Sequence, residues 1–287
     1  MNDRERPTTG GRLWIVPTPI GHLDDITLRA VATLRSADAI LAEDTRHTRK
    51  LCVRHEIATP LSSLHAHSSD RVIARYLARL QQGQSLALVS DAGTPMISDP
   101  GAALVHAARA SGIHVEALPG ASAVTTSLCV SGIPFNAFHF VGFLPRSGTR
   151  RSHALETIAD APDVTVFFEA PGRLVPTLVD LMALAGPQRK VAVCRELTKA
   201  HEEVTSAALG EVIEHFQAGV LGEVTVVVSG AHAAPAVPSD ADLDDLIRAR
   251  LAAGDSARDI ARTLSARFET SRRHLYRRVL ELSKEPP

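Results

Sequence analysis

Apolar runs alternate with helical patterns along the first four fifths of the chain. Short runs rich in β-forming residues predict strands at RLWIVP, DAILAE, SLALVS and IHVEAL, and then at AFHFVGF, VTVFFEA, KVAVCREL and EVTVVVSG. Between them, apolar periodicity predicts helices over 27–36, 70–81, 102–110 and 174–184. This alternation is typical of α/β proteins, and strands that are apolar along their whole length indicate sheets covered on both faces.

The pattern changes at two places. The uncharged stretch around SGIPFNAFHF indicates a joint between two α/β halves, and the Ala/Pro-rich segment AHAAPAVPSDAD predicts a linker. Only helical patterns follow it; Gly254 closes the first, and Ser256 and then Thr270 or Ser271 are candidate N-caps of the next two. We therefore predict four parts: an N-terminal α/β domain (1–132), a C-terminal α/β domain (133–231), a linker (232–241) and a helical appendage (242–287).

Loops rich in proline and glycine follow three predicted strands, with the sequences VPTPIGHLDDIT, SDAGTPMISDPG and PGASAV. Ligands of open α/β sheets bind at the carboxyl ends of strands, so these loops could line one cleft; tight turns without a ligand are the alternative. A proline-stiffened loop with the single Gly21 is a poor cradle for phosphate, and no lysine follows in a Walker pattern. The loops therefore favour a phosphate-free ligand with adenine and amino-acid ends over NAD or ATP.

Composition narrows the class of protein. The chain has 287 residues, of which 45% are hydrophobic, and can bury a large core. Its net charge of −1 excludes a globally basic nucleic-acid binder but permits a local basic face. The three cysteines lack metal-ligand spacing, which is typical of reduced thiols. Gly, Pro, Ser and Asn interrupt the uncharged stretch 117–145, so no membrane span is predicted, and without an apolar signal region we expect a cytoplasmic protein.

Six motifs occur in one order and spacing: TPIGHLDDIT, EDTR, AGTPMISDPG, PGASA, FFEAPGR and RELTK. PGASA alone is unspecific, whereas EDTR, SDPG and RELTK together are specific. On these motifs, the chain from about Leu13 to Gly230 resembles the ribosomal RNA small-subunit methyltransferase I family, in the tetrapyrrole-methylase-like class of S-adenosylmethionine (SAM) enzymes. The helical tail matches more weakly. The chain departs from the pattern at Gly172, where members often carry histidine, so we assign no catalytic role there.

The resemblance implies two α/β domains of the tetrapyrrole methylase type with a small C-terminal helical appendage, and SAM held between the two domains. It also implies a homodimer that transfers the SAM methyl group to the ribose 2′-hydroxyl of a cytidine in small-subunit (16S) ribosomal RNA. Cys194 would belong to the pocket wall and would not be a nucleophile. The SAM-binding positions implied by the motifs are Pro17, Thr94, Ile97, Ser122, Ala123, Phe168, Cys194, Val224 and Thr225.

Methyl transfer to a 2′-hydroxyl needs help with the proton, because the hydroxyl is a poor acid. A carboxylate could accept the proton, or a neighbouring cation could stabilise the developing charge. The motifs contain six candidates: Glu43, Asp44, Asp99, Glu169, Glu196 and Lys199. Each could instead form a surface ion pair or cap a helix. Their positions at strand ends favour four as catalytic residues: Lys199, Glu169, Asp44 and Asp99.

The histidine pair His65 and His67 resembles a set of metal ligands. No Cys, Asp or Glu completes a ligand set nearby, so we predict no metal.

The C-terminal helical segment carries excess positive charge. The segment 255–284 has a net charge of +4 and could contact RNA, although a solvated helix face is the alternative. Aromatic residues are only 4% of the chain, so recognition would depend on shape and phosphate contacts. The predicted RNA-binding residues are Arg46, Arg195, Arg272, Arg273, Arg277 and Arg278.

Two other functions compete with RNA methylation. A small-molecule methylase of the same class, acting on a tetrapyrrole, would need an open hydrophobic trough and no basic tail. A helix-turn-helix regulator, in which the α/β part only senses a ligand, is suggested by SARDIARTLSARFETSRRHLYRRV alone. The motif set favours the RNA methyltransferase.

Overall fold

The computed structural model describes residues 11–65, 68–231, 240–252, 254–268 and 271–283. The described residues up to Ser229 form one compact unit with two five-stranded sheets. The first sheet is parallel throughout and contains β1 (Arg12–Ile15), β2 (Ala39–Ala42), β3 (Leu61–Ser63), β4 (Leu86–Leu88) and β5 (His114–Ala117). Its spatial order is β3-β2-β4-β1-β5. The helices of this half are α1 (Leu28–Ser36), α2 (Thr45–Arg54), α3 (Asp70–Gln81), α4 (Ala102–Ala110) and α5 (Ala123–Val130).

Helices cover both faces of the first sheet, as its apolar strands predict. Leu86 and Leu88 of β4 belong to a cluster with Leu80 of α3 and Leu104 of α4. Ala87, between them, belongs to a second cluster formed with α1 and α2. Successive side chains of a strand point to opposite faces, so an apolar residue at every position buries both faces of the sheet.

The second sheet is mixed. It contains β6 (Phe138–Phe143), β7 (Val164–Glu169), β8 (Lys190–Arg195), β9 (Glu203–Ala208) and β10 (Val224–Val228), with spatial order β6-β7-β10-β8-β9. Strands β6 and β7 are parallel, whereas β10 runs antiparallel to both β7 and β8, and β8 runs antiparallel to β9. One face packs on α6 (Thr149–Asp160), α7 (Leu174–Ala185) and α8 (Leu209–His215).

Helix α5 connects the two halves. It follows the last strand of the first sheet, but its Val124 and Leu128 pack with Val166 of β7 and Val227 of β10. The boundary predicted at 132/133 therefore assigns to the first domain a helix whose buried face contacts the second sheet. That boundary stays a prediction.

The described residues from Gly230 onward form a second compact unit that contains α9 (Asp240–Ala252), α10 (Ala257–Phe268) and α11 (Arg272–Leu282). Ile247, Leu264 and Val279 lie in its own apolar core. Ser271 caps α11 by accepting a hydrogen bond from the backbone N–H of His274, as its position in the sequence predicts. Thr270 and most of the predicted linker 232–241 lie outside the described residues.

The predicted fold class is confirmed: two α/β sheets precede a helical C-terminal end. Within the described part of the chain, no helix combines the length and the apolar character needed to cross a bilayer.

Candidate active site

Three loops at the carboxyl ends of first-sheet strands meet. The loops after β1 and β4 are joined by two backbone hydrogen bonds between Thr18 and Gly93, each 2.9 Å from N to O. Thr94 Oγ1 donates to the carbonyl oxygen of Ala121, in the loop after β5, at 3.1 Å. A Cβ atom at Gly120 would lie 2.6 Å from Cβ of Pro17, so only glycine allows this approach. These are the loops predicted to share one cleft.

Two loops at this end of the molecule hold non-glycine residues in the left-handed backbone region. Met96 and Ser98, in the loop after β4, have φ of 71° and 66°. Glu196 and Thr198, in the loop after β8, have φ of 49° and 65°. Such conformations are costly and cluster at ligand sites, where surrounding contacts maintain them. They make both loops candidates for a functional role.

A cavity of about 380 Å³ lies between the loops after β1, β4 and β5 and the second sheet. The second sheet contributes the ends of β6 and β7 and the start of β10. A volume of this size suits a small organic ligand. The loops contribute Ile20, Asp91, Thr94, Ile97, Ser98, Asp99, Ser122 and Ala123 to the lining, and the second sheet and its adjoining residues contribute Phe143, Phe168, Glu169, Glu223, Val224 and Thr225.

Seven of the nine predicted SAM positions line this cavity: Thr94, Ile97, Ser122, Ala123, Phe168, Val224 and Thr225. Pro17 and Cys194 are not among the lining residues. Pro17 packs behind the lining against Gly120, and Cys194 is buried in a cluster with Ile20. Burial raises the pKa of the Cys194 thiol to about 12, and the nearby Glu202 adds to the effect, so this sulfur is not a thiolate at neutral pH.

The charged residues of the lining are all carboxylates: Asp91, Asp99, Glu169 and Glu223. Asp99 is half-buried, and this burial, together with the negative charges of Glu43 and Asp91, raises its pKa to about 6. A carboxylate with a pKa near 6 is a better proton acceptor than an ordinary aspartate and is still mostly ionised at neutral pH. The cavity therefore presents negative charge and one basic carboxylate.

Glu169 makes a different kind of contribution, because its carboxylate is fully buried and already occupied. One oxygen accepts from Thr177 Oγ1 at 2.7 Å, and the other accepts from the backbone N–H of Ala170 at 2.8 Å. Arg173 and Arg151 lie 3.4 and 4.0 Å from it. These contacts hold the end of β7 beside the cavity, so the geometry favours positioning by Glu169 over proton transfer.

Lys199 lies outside the lining but is bonded to a residue within it. Its Nζ donates to Glu196 Oε1 at 2.8 Å and to Glu223 Oε2 at 3.1 Å, and Glu196 Oε1 also accepts from the backbone N–H of Glu223. Burial by itself lowers the pKa of Lys199, but these hydrogen bonds outweigh it and raise the pKa overall. A Cβ atom at Gly21 would lie 2.5 Å from Cγ of Lys199, so the loop after β1 packs on this network.

Three other predicted site residues form local ion pairs outside the cavity lining. Asp44 is the N-cap of α2 and binds the guanidinium of Arg46 at 2.8 and 3.1 Å, and this pairing lowers the pKa of Asp44 to about 2. Arg46 is itself 90% exposed. Arg195 donates to Glu203, which lies opposite it on β9, at 3.0 Å. The catalytic role of Asp44 and the RNA-binding roles of both arginines stay predictions.

In the helical unit, the four predicted RNA-binding arginines fall into two groups. Arg272, Arg273 and Arg277 are exposed on α11. Arg278 instead donates to Asp244 of α9 at 2.8 Å and to Glu281 at 3.2 Å, which ties two helices of the bundle together. This geometry leaves the first three more accessible to phosphate than Arg278.

Sequence reasoning missed several lining residues, among them Ile20, Asp91, Phe143 and Glu223. Ile20 stands inside a quoted motif and Asp91 directly precedes one, so both could have been selected on that basis. Phe143 lies at the end of a predicted strand and had no local signal. Among the described residues, no group of three or more His, Cys, Asp or Glu side chains could hold a metal ion, and His67 lies outside those residues.

Comparisons with known proteins agree on one family. The family model for Tetrapyrrole (Corrin/Porphyrin) Methylases matches residues 12–213. The chain is 48% identical over 227 residues to "Ribosomal RNA small subunit methyltransferase I" of Xylella fastidiosa, covering 78% of this chain and 83% of that protein. It is 41% identical over 278 residues to the protein of the same name from a Synechocystis species, covering 96% and 99%.

Solved structures share the fold over about three quarters of the chain. A uroporphyrin-III C-methyl transferase from Thermus thermophilus, complexed with S-adenyl homocysteine, superimposes with a TM-score of 0.55 at 22% identity. The match covers 77% of this chain and 98% of that one. At this identity the likeness supports the fold alone.

Proposed function

Because the chain belongs to the ribosomal RNA small subunit methyltransferase I family, within the tetrapyrrole methylases, we propose that it is a SAM-dependent methyltransferase of small-subunit ribosomal RNA. The acceptor in this proposal is the ribose 2′-hydroxyl of a cytidine. The observation that carries the proposal is the cavity between the two sheets, which is lined by seven of the nine residues that the motif resemblance assigns to SAM.

The chemistry of the lining fits SAM. SAM carries a positive sulfonium and an α-amino group beside an adenine ring, and it has no phosphate. The cavity offers carboxylates at Asp91, Asp99 and Glu223 and apolar surface at Ile97 and Phe168, while none of the lining residues described is Lys or Arg. In a partly buried site the carboxylates favour a cation and repel a phosphate. The apolar residues suit the adenine ring.

Bound SAM supplies a methyl group that the sulfonium already activates, so the protein chiefly has to align the acceptor hydroxyl. Of the four candidate catalytic residues, Asp99 is the proposed acceptor of the hydroxyl proton, and its position in the cavity lining and its raised pKa support this role. Glu169 holds the wall formed by β7. Lys199 positions Glu223 through its hydrogen bond to that carboxylate. Asp44 caps α2 and positions Asp91, because its backbone N–H donates a hydrogen bond to the carboxylate of Asp91.

We expect Lys199→Ala to lower kcat about tenfold or more while changing SAM affinity little, because it releases Glu223 from the network without removing a lining residue. Methyl-transfer kinetics and calorimetry of SAM binding provide the two measurements. Lys190→Ala, at the exposed start of β8, the strand that precedes the loop of Lys199, is the matched control. A rise in KM for RNA with kcat intact would instead assign Lys199 to RNA binding.

The helical unit is proposed as an RNA-binding appendage, supported by exposed Arg272, Arg273 and Arg277. Deleting 239–287 should leave SAM binding intact, because the α/β unit has its own cores. RNA binding should weaken, and log K should fall less steeply with log salt concentration, since fewer counterions are released. Substituting the three arginines by Gln tests the same point with the helices retained. Equal salt slopes would show that these arginines are only solvated surface.

Incubation with small ribosomal subunits and methyl-labelled SAM tests the proposed function. Mapping of 2′-O-methylated nucleotides, with and without the protein, should show label in a cytidine of the ribosomal RNA. Label confined to a porphyrinoid would make the protein a small-molecule methylase. Specific duplex DNA binding without turnover would make it a regulator.

The proposal also includes the location and the oligomeric state of the protein: we propose a cytoplasmic homodimer. Location in the cytoplasm follows from the proposed ribosomal substrate. A dimer is supported by β6, an edge strand of the second sheet, where Phe138, Val141 and Phe143 are 40–60% exposed. Light scattering at micromolar concentration would give twice the 30.7 kDa mass of the chain if the dimer forms.

A further inference from the structure

A second cavity adjoins the first at the carboxyl end of the parallel sheet. It has a volume of about 370 Å³ and lies between the loop after β4, the start of α4 and the loop after β3. Ser98 and Asp99 line both cavities, so a ligand in one would meet a ligand in the other across these two residues. None of the seven predicted SAM-binding residues that line the first cavity lines the second.

The walls of the second cavity combine apolar and polar groups. Leu64, Ile73 and Pro100 provide apolar surface, and Glu43 and His65 provide hydrogen-bonding groups. A flat heterocyclic base needs this combination, because its faces are apolar and its edge carries donors and acceptors. The carboxylates of Glu43 and Asp99 disfavour an anionic occupant such as a phosphate.

Glu43 has hydrogen-bonding capacity that the described residues leave unused. It is half-buried, and in the part of the chain that the structure describes its carboxylate makes no hydrogen bond or ion pair. Its charge reaches Asp99, since it contributes to the raised pKa of that residue. A half-buried carboxylate without a partner favours a ligand that donates hydrogen bonds.

We propose that the second cavity holds the acceptor nucleoside, with its ribose at Asp99 and with Glu43 accepting a hydrogen bond from the exocyclic amino group of cytosine. This inference rests on the proposed function and identifies how the acceptor base is selected. Uracil has a carbonyl oxygen where cytosine has its amino group, so uridine would set an acceptor against the carboxylate of Glu43. His65 can donate to a ring acceptor of the base.

The flanking chain supports this placement. Glu43 directly precedes Asp44, the N-cap of α2, and α2 presents Arg46, Arg49 and Lys50 to solvent. The phosphates on either side of the bound nucleoside would therefore lie outside the acidic cavity, where they would contact the basic face of α2. Such a division lets the nucleoside enter while its neighbours stay outside.

The test compares small ribosomal subunits that carry either cytidine or uridine at the methylated position. Wild-type protein should methylate the cytidine form with a kcat/KM roughly 10- to 100-fold higher. Glu43→Gln should reduce this preference to about threefold or less, because the amide can donate to uracil as well as accept from cytosine. SAM affinity measured by calorimetry should not change, since Glu43 does not line the first cavity. Glu56→Gln, on the exposed end of the turn after α2, is the matched control.

A second variant tests the cavity independently of Glu43. Ala102→Leu narrows the second cavity at the first residue of α4 and leaves the lining of the first unchanged, so it should raise KM for subunits and preserve SAM affinity. An unchanged cytidine preference in Glu43→Gln, or an unchanged KM in Ala102→Leu, overturns the inference while RNA methylation stands. A wild-type protein that binds SAM but methylates no RNA overturns the proposed function and this inference with it.

Discussion

Asp99→Asn should lower kcat by roughly 10²- to 10⁴-fold, the range expected when a general base is lost. Asparagine keeps the size of the side chain but cannot accept the hydroxyl proton. Asp99 is the lining carboxylate with a raised pKa, and it lies where the two cavities meet. Single-turnover methylation with saturating SAM measures the chemical step, and Asp25→Asn, an exposed substitution in the loop after β1, serves as the control.

The pH dependence provides a second test of the same residue. The pKa of Asp99 is about 6 in the folded protein against an ordinary 3.8, because burial and the charges of Glu43 and Asp91 disfavour its ionised form. Wild-type kcat/KM should therefore fall as the pH drops below 6, and the residual activity of Asp99→Asn should lack this step.

The raised pKa of Asp99 also determines how this residue affects the stability of the folded protein. The folded state binds more protons than the unfolded state between pH 4 and 6, so this group's contribution to stability declines as the pH rises through that window. At neutral pH the substitution removes an unfavourable charge, and Asp99→Asn should unfold at a higher temperature than wild type. Wild-type turnover in the variant, or a lower unfolding temperature, would contradict this account of Asp99.

Ser122→Leu should weaken SAM binding by well over tenfold. A tenfold loss of affinity corresponds to about 1.4 kcal/mol of binding free energy. Ser122 lines the first cavity at the N-cap of α5, and its side chain makes no capping hydrogen bond. The added carbon atoms would occupy space that the ligand needs, while the backbone can keep its extended conformation. Isothermal calorimetry of SAM binding provides the measurement.

Ser122→Ala is the matched control, because it removes the hydroxyl without filling the cavity. It should bind SAM with nearly wild-type affinity. Circular dichroism should show native secondary structure in both variants. A folded Ser122→Leu protein with unchanged affinity would remove Ser122 from the SAM site and would leave the proposed ligand of this cavity without support.

Local patterns in the sequence were sufficient for the elements with strong, regular signals. Helices α3 and α4 begin and end where their apolar periodicity predicts, and the eight strands named from apolar runs all form. Two strands were missed. β3 has only three residues, and β9 is half-exposed and polar, with the sequence EVTSAA. Both are edge strands, so neither needs an apolar residue at every position, and the signal of a buried strand is absent.

The candidate site shows a similar division. The sequence places the motif loops at strand ends, and parallel strands bring their carboxyl ends to one edge, so the meeting of the first three loops was predictable. No local signal predicts that α5 packs on the second sheet or that β10 runs antiparallel between β7 and β8. These arrangements depend on contacts between residues far apart in the chain.

The sequence by itself therefore determined the fold class, the loops of the site and the residue types that the motifs bring to it. Only the tertiary structure decided which motif residues line the first cavity, which are buried behind its wall and which form ion pairs with neighbouring side chains. Cys194 and Thr94 both stand in or next to family motifs, yet one is buried behind the wall and the other lines it. The physical reason is that a motif constrains residue type and order, whereas exposure to a ligand depends on how the two sheets pack around the space between them.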